Sequence, residues 1–175
     1  MKTSALPDAS EQTLEVLRKI PLFRDLSLAE LEALFDICQY RQFQASETIY
    51  QMGDPGQDMF ILLEGELTAR AHDRIDIARI SPVDLVGEMG LFTGEPRSAS
   101  VIATSPAAGL VIRKEDLADF FSRKAGACQK VLINVIKILS HKLYTTNVQI
   151  ENIRKNVPEM SKEVDAVFSD NIFLY

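Results

Sequence analysis

Short runs of alternating apolar residues fill the middle of the chain, from residue 40 to residue 112, and constrain its fold more than any other feature. Turn-forming segments such as residues 53–56 (GDPG) separate these runs. Apolar side chains at every second position are typical of a β-strand with one buried face. The runs are Ile61, Leu63, Gly65, Leu67 and Ala69; Ile75 and Ile77; Ala99, Val101 and Ala103; and Leu110 and Ile112. Such short, frequently turned strands predict a small roll or barrel.

Helical patterns flank the predicted strands on both sides. Apolar spacing predicts a helix over residues 11–20, which Pro21 ends. Ser27 and Glu30 form a capping-box sequence, which predicts a helix over residues 28–37. A short helix is predicted over residues 115–122, with a break around Gly126. No proline or glycine interrupts the sequence from Cys128 to Lys155, so a long helix is predicted there.

These patterns together predict an α+β fold. We expect a small antiparallel β-roll (double-stranded β-helix or jelly-roll), flanked by N-terminal helices and by a long C-terminal dimerisation helix. The predicted domain organisation is a flexible tail (residues 1–9), the β-roll with its flanking helices (residues 10–127), the long helix (residues 128–155) and a short C-terminal tail (residues 156–175).

Charge and composition exclude several classes of protein. The 175 residues include 19 basic and 25 acidic side chains, for a net charge of −6, which argues against nucleic-acid binding and against a polybasic membrane anchor. No apolar run approaches the ~20 residues of a membrane-spanning helix, and no secretory signal is visible. With two histidines and two distant cysteines, no zinc site or disulfide framework is predicted. We therefore expect a cytoplasmic, metal-free protein.

Residues 87–101 (GEMGLFTGEPRSASV) lie between two predicted strands and carry the chemistry. By strand parity, Arg97 lies on the same side as Ala99 and Val101, which face inward. A buried guanidinium without a partner is very costly, so Arg97 needs an anion. The anion is either an internal carboxylate, Glu88 or Glu95, or the phosphate of a ligand, which suits the planar fork of arginine.

The other residues of this segment favour a ligand. Gly87 and Gly90 allow the backbone to come close to it, and residues 90–92 can start a helical turn whose free amides face an anion. Ser98 offers a hydroxyl beside Arg97, and Ala99 leaves space for the ligand. Glu88, when ionised, only accepts hydrogen bonds and suits sugar hydroxyls. An acceptor for a ribose and a fork for a phosphate predict a nucleotide site.

The segment resembles the phosphate-binding cassette of cyclic-nucleotide-binding domains, as in catabolite-activator-type receptors and cyclic-nucleotide-dependent kinases. The resemblance extends over residues 21–153 and includes the barrel positions Gly53, Asp54, Asp58 and Gly65. It implies that Arg97 and Ser98 hold the cyclic phosphate and that Glu88 accepts from the ribose 2′-hydroxyl. It also implies that the backbone at Gly87, Gly90 and Ala99 lines the pocket. Residues 81–84 (SPVD) depart from the glycine-aspartate usual before the cassette.

The long helix carries two apolar stripes. The first is a heptad seam of Leu132, Ile136, Leu139, Leu143, Thr146, Ile150 and Ile153, which predicts a parallel homodimer. The second is formed by Val131, Val135 and Ile138 and is predicted to pack on the barrel. By the resemblance, Thr146 and Asn147 match helix positions that contact the purine, although Asn147 can equally be a solvated helix residue.

The predicted function is that of a cyclic-nucleotide receptor, most readily for cyclic AMP, with cyclic GMP left open. It would signal to a protein partner through the C-terminal helix and the dimer. We expect no enzymatic activity, because His72 is the only histidine in the strand region and a cupin-type metal site needs at least two. DNA binding is not expected either, because residues 157–175 carry one lysine and four acidic residues. The alternative is a structural dimerisation module whose pocket no longer binds nucleotide.

Overall fold

The computed structural model describes the backbone of residues 11–73 and 75–156. Side-chain burial is described for residues 13–73 and 75–152. The chain divides into two compact units, residues 1–134 and residues 135–175. All the β-strands lie in the first unit. The tail predicted over residues 1–9 lies outside the described residues, and so does the tail predicted over residues 156–175 apart from Asn156, which is the last residue of the long C-terminal helix.

The N-terminal helices are α1 (Glu11–Lys19) and α2 (Leu28–Phe35), with a 3₁₀ turn at Pro21–Phe23 between them. The predicted capping box is confirmed. The Ser27 hydroxyl accepts from the Glu30 amide at 3.3 Å, and the Glu30 carboxylate accepts from the Ser27 amide at 2.6 Å. Both helices bury apolar side chains that pack in the first unit, among them Leu17, Leu31 and Leu34.

Within the part of the chain that the structure describes, eight strands form two four-stranded antiparallel sheets. They are β1 (Gln39–Phe43), β2 (Thr48–Tyr50), β3 (Asp58–Glu64), β4 (Leu67–Arg70), β5 (Asp76–Ile80), β6 (Leu85–Val86), β7 (Ser100–Ala103) and β8 (Ala107–Arg113). The strand orders are β1-β8-β3-β6 and β2-β7-β4-β5. The core contains side chains from both sheets, such as Phe60 and Leu62 of β3 and Val101 of β7. The predicted α+β fold with a small antiparallel β-roll is confirmed.

Two of the predicted alternating runs are wrong in detail. The run over residues 61–69 spans two strands, because a turn at Gly65, with φ of +88°, separates β3 from β4. Within β3, the four consecutive residues 59–62 are all buried, so both faces of this strand are covered. Ile75 and Ile77 are 60% and 57% exposed. Ile75 directly precedes β5 and Ile77 lies within it. Because β5 is an edge strand, the alternation of apolar residues does not mark a buried face there.

Three further helices complete the described fold: α3 (Glu88–Thr93), α4 (Lys114–Arg123) and α5 (Ala125–Asn156). The break predicted around Gly126 is instead at Lys124, whose φ of −132° and ψ of 65° end α4. Gly126 lies in the first turn of α5, which therefore begins three residues before the predicted start at Cys128.

The first turns of α5 bind the N-terminal helices. The Lys130 ammonium lies 2.8 Å from the Glu30 carboxylate, and the Asn134 amide donates to the carbonyl oxygens of Leu22 and Arg24. The hydrogen bond from Lys130, together with the Ser27 amide, lowers the pKa of Glu30. Val131 is buried between these two polar anchors. The predicted packing of this stripe on the barrel stays a prediction.

The two cysteines differ in environment. Cys38 is 3% exposed and its thiol donates to the Leu34 carbonyl oxygen at 3.3 Å. Burial raises the pKa of the Cys38 thiol to about 12, which keeps it protonated and unreactive at neutral pH. Cys128, near the start of α5, is half-buried.

Candidate functional site

The segment between β6 and β7 forms helix α3 and the turns on either side of it. Gly87 precedes α3 with φ of +89°, and a Cβ atom there would clash with the Arg97 guanidinium. Only glycine adopts this positive φ without strain and also leaves room for the guanidinium. The helix begins at Glu88, two residues earlier than the turn predicted at residues 90–92. Gly90 lies inside α3, where a Cβ would come within 2.9 Å of Gly56 and Glu95 backbone atoms.

Arg97 is buried at 7% exposure, so its predicted inward orientation is confirmed. Its Nη2 atom lies 2.7 Å from Asp58 Oδ1, and its Nη1 donates to the Gly87 carbonyl oxygen at 3.1 Å. The guanidinium carbon lies 3.6 Å from the centroid of the Tyr50 ring, an arrangement that allows a cation–π contact. Three partners, a carboxylate, a carbonyl oxygen and an aromatic ring, thus hold the guanidinium in one position.

The backbone of Arg97 is fixed independently of its side chain. The Arg97 amide donates to the Asp54 carbonyl oxygen at 2.8 Å, and the Arg97 carbonyl oxygen accepts from the Gly53 amide at 2.9 Å. These two hydrogen bonds connect the loop before β7 to the turn that precedes β3.

The carboxylate that pairs with Arg97 in the structure is Asp58, which is not among the internal carboxylates, Glu88 and Glu95, that the sequence offers as alternatives to a ligand phosphate. Asp58 is the first residue of β3, which pairs with β8 and β6 in the other sheet from β7. Its side chain is 35% exposed, against 5% for Arg97. The ion pair therefore links the two sheets at the start of β3.

Sequence reasoning missed the roles of Asp58 and Tyr50. The available signal for Asp58 was an acidic residue that opens a strand directly after the GDPG turn. The Tyr50 hydroxyl is buried and has no hydrogen-bond partner among the described residues. Burial, with a smaller effect from the nearby Asp58 carboxylate, raises the pKa of Tyr50, so the phenol stays neutral against the guanidinium.

The structure brings two of the other predicted site residues, Gly87 and Gly90, next to the Arg97 guanidinium. Glu88 is 7% exposed at the first position of α3. Ser98 is exposed and Ala99 is half-buried, and both follow Arg97 directly in the chain.

The remaining two predicted residues, Thr146 and Asn147, belong to the second unit and are exposed on α5. The Thr146 hydroxyl donates to the Lys142 carbonyl oxygen within the helix, at 2.9 Å. Their predicted contact with a purine stays a prediction.

This arrangement is suited to binding an anion. A guanidinium has five N–H groups, and the contacts to Asp58 and Gly87 use two of them. The side chain is already ordered, so little further conformational entropy is lost when it binds a phosphate. Among the described residues there is no group of three potential metal ligands, and no helix that is long and apolar enough to cross a membrane.

Comparison with known sequences identifies the domain. Residues 40–124 match the family described as the cyclic nucleotide-binding domain, and this range contains α3, α4 and both sheets apart from Gln39, the first residue of β1. These residues form a cyclic nucleotide-binding domain. Domains of this family are regulatory rather than catalytic.

Relatives of this cyclic nucleotide-binding domain include a "cAMP-dependent protein kinase regulatory subunit" from Colletotrichum orbiculare. It is 32% identical over 92 residues, which are 52% of this chain and 24% of that protein. The chain thus matches about a quarter of the length of this curated relative.

Solved structures share the fold over a larger part of the chain. A cyclic nucleotide-binding domain from Methylobacillus flagellatus superposes with a TM-score of 0.71 at 27% identity, over 81% of this chain and 82% of that one. The catabolite activator protein of Thermus thermophilus superposes with a TM-score of 0.67 at 26% identity, over 76% of this chain and 62% of that one. No DNA-binding domain is evident among the residues that the structure describes here.

Proposed function

We propose that this domain is a receptor for cyclic AMP and that binding regulates a protein partner. The observation that carries the proposal is the buried Arg97 guanidinium, held beside the start of α3 by Asp58, by the Gly87 carbonyl and by the Tyr50 ring. A kinase regulatory subunit named for cyclic AMP is among the relatives, which favours cyclic AMP over cyclic GMP as the first ligand to test.

In this proposal each residue of the segment has one task. Arg97 donates to the cyclic phosphate, and the Ser98 hydroxyl adds a further donor. Glu88 accepts from the ribose 2′-hydroxyl, while the backbone at Gly87, Gly90 and Ala99 lines the pocket. Thr146 and Asn147 would contact the base. The Asp58 carboxylate neutralises Arg97 before the ligand arrives, so binding has to be strong enough to share the guanidinium with a second anion.

Calorimetric titration with cyclic AMP, cyclic GMP, a cyclic dinucleotide and linear AMP tests the proposal. We expect saturable binding of cyclic AMP and weak or no binding of linear AMP, whose extra phosphate charge lies close to Asp58 and Glu88. At 100 times its dissociation constant a ligand stabilises a protein by about 2.7 kcal/mol. For a chain of this size that raises the melting temperature by roughly 5–10 °C. Absence of binding by every cyclic nucleotide at millimolar concentration would refute the receptor function.

We further propose that the output passes through α5 and a homodimer. Three seam residues are well exposed in the single chain: Leu132 at 44%, Ile136 at 64% and Leu143 at 63%. Exposed apolar side chains at heptad spacing favour a helical partner, because each gains about 25 cal/mol for every Å² of apolar surface that it buries.

The double substitution Leu139→Lys with Leu143→Lys is expected to convert the dimer to a monomer, since it places two like charges on each side of the seam. Sedimentation velocity measures the change. His141→Lys with Thr145→Lys is the matched control: it adds the same charge on exposed positions off the seam and should leave the dimer intact. Equal sedimentation of the seam variant and the wild type would rule out this interface.

A second candidate is a structural dimerisation module with a pocket that no longer binds nucleotide. The observation that favours it is again Asp58, which already satisfies the charge of Arg97 without a ligand. The two candidates make opposite predictions for the titration above. Neither requires enzymatic activity, and the predicted cytoplasmic location remains a prediction in both.

A further inference from the structure

A cleft of about 540 Å³ opens between β1 and β2, which are edge strands of the two different sheets. Its volume lies within the range of roughly 300–1,000 Å³ that is usual for small-molecule sites. None of the residues from Gly87 to Ala99 lines this cleft. The segment proposed to hold the cyclic nucleotide therefore does not form this cleft, but two lining residues, Tyr50 and Asp58, also contact the Arg97 guanidinium from the cleft side.

One charged side chain in the cleft has no ionic partner. Arg41 is half-buried and forms no ion pair among the described residues. It lies on the same face of β1 as Phe43, which packs against the core, so its side chain leaves the strand on the inner side. The residue opposite Arg41 in the sheet is Gly109, which offers no side chain to contact it.

The two carboxylates that line the cleft are already engaged. Asp58 pairs with Arg97, as described above. The Glu47 carboxylate accepts from the Gln44 amide at 2.6 Å and so closes the turn between β1 and β2. Four charges, two of each sign, thus lie in or behind the cleft, and the guanidinium of Arg41 is the one that is free to bind a ligand.

The remaining wall of the cleft is apolar and aromatic. Phe43, Ile49 and Val111 are partly buried residues that pack against the core cluster. The Phe43 ring contacts the Phe60 ring edge-to-face, with centroids 5.4 Å apart. Such packing fixes the Phe43 ring in place, so that it offers a rigid apolar surface near the Arg41 charge.

We propose that this cleft is a second ligand site, which binds a small aromatic carboxylate. The carboxylate would pair with the Arg41 guanidinium through two parallel hydrogen bonds. The ring of the ligand would lie against Phe43, Ile49 and Val111. Volume, an unpaired cation and a fixed apolar wall are the three features that a small organic anion requires.

Titration with benzoate, 4-hydroxybenzoate and 1-naphthoate tests the site, with saturation-transfer NMR as the readout. We expect saturable binding, weakened at least tenfold by Arg41→Met and partly restored by Arg41→Lys, which keeps the charge. Arg123→Met, at an exposed position on α4, removes the same charge elsewhere and should leave binding unchanged.

Two results would overturn the proposal. One is the absence of saturable binding of all three acids at 10 mM. The other is binding that resists Arg41→Met but is lost with Arg97→Leu, because the carboxylate of the acid would then pair with Arg97 in the proposed nucleotide site. Thermal unfolding of each variant without ligand shows that it is folded. The proposal does not depend on cyclic AMP binding, since Arg41→Met and Arg97→Leu separate the two sites.

Discussion

Cyclic AMP is expected to bind the Arg97→Leu variant at least 100-fold more weakly than the wild type, and its thermal stabilisation should disappear. Each hydrogen bond to a charged group contributes about 1.5–3 kcal/mol. Loss of two such bonds to a phosphate therefore costs at least ~3 kcal/mol, which is more than a factor of 100 in the dissociation constant. Calorimetry measures the affinity, and a melting curve with and without ligand gives an independent check.

The fold should survive this substitution. The backbone of Arg97 keeps its hydrogen bonds to Asp54 and Gly53, and the Asp58 carboxylate, at 35% exposure, remains accessible to water once its partner is removed. Arg97→Lys is the matched control: it keeps the charge but loses the planar fork and the stacking on Tyr50, so we expect intermediate affinity.

Asp58→Asn should act in the opposite direction, with tighter binding of cyclic AMP. The asparagine can still accept from Arg97, but it no longer competes with the phosphate as a second anion. Unchanged affinity in Arg97→Leu would show that the ligand does not use this guanidinium. Weaker binding in Asp58→Asn would show that Asp58 positions Arg97 for the ligand rather than competing with it.

The second large effect concerns stability. Gly109→Ala is expected to lower the free energy of unfolding by about 3 kcal/mol. A Cβ at this position would clash with the Ile61 carbonyl oxygen and lie 2.6 Å from the Phe60 ring. Gly109 lies in β8, between β1 and β3, so the backbone cannot shift without disturbing both neighbours. A decrease of roughly 6–12 °C in the melting temperature corresponds to this loss.

Gly126→Ala serves as the control for the same chemical change. Gly126 lies in the first turn of α5, and the nearest atom to a new Cβ would be a Glu30 carboxylate oxygen at 3.9 Å. Alanine in a helix is favoured over glycine by roughly 0.5–1 kcal/mol, so this variant should be slightly more stable than the wild type. Equal melting temperatures for the two variants would contradict the packing described around β8.

The sequence predicted those features that depend on short-range geometry. The Ser27–Glu30 capping box needs only a spacing of three residues. The burial of Arg97 agrees with the strand parity used to predict it, although Arg97 lies in the loop before β7 and its backbone is held by Gly53 and Asp54. The partner of Arg97 could not be found in this way. Asp58 is 39 residues away and belongs to the other sheet, so the pairing depends on how the sheets are stacked.

Two errors, the predicted burial of residues 75 and 77 and the predicted helix break at Gly126, arose because local sequence patterns are ambiguous. A period of two does not indicate which face of a strand is covered, and Ile75 and Ile77 are therefore exposed at a sheet edge despite their alternation. Glycine is a poor helix former, yet Gly126 lies within α5 while the helix boundary is at Lys124.

The contrast between the two cysteines gives the natural sequence a single convenient attachment point. Cys38 is shielded and held as the thiol, whereas Cys128 is partly accessible near the beginning of α5. A thiol-reactive fluorophore would thus report from the base of the long helix without any engineered residue, which offers a direct way to follow that helix when nucleotide is added.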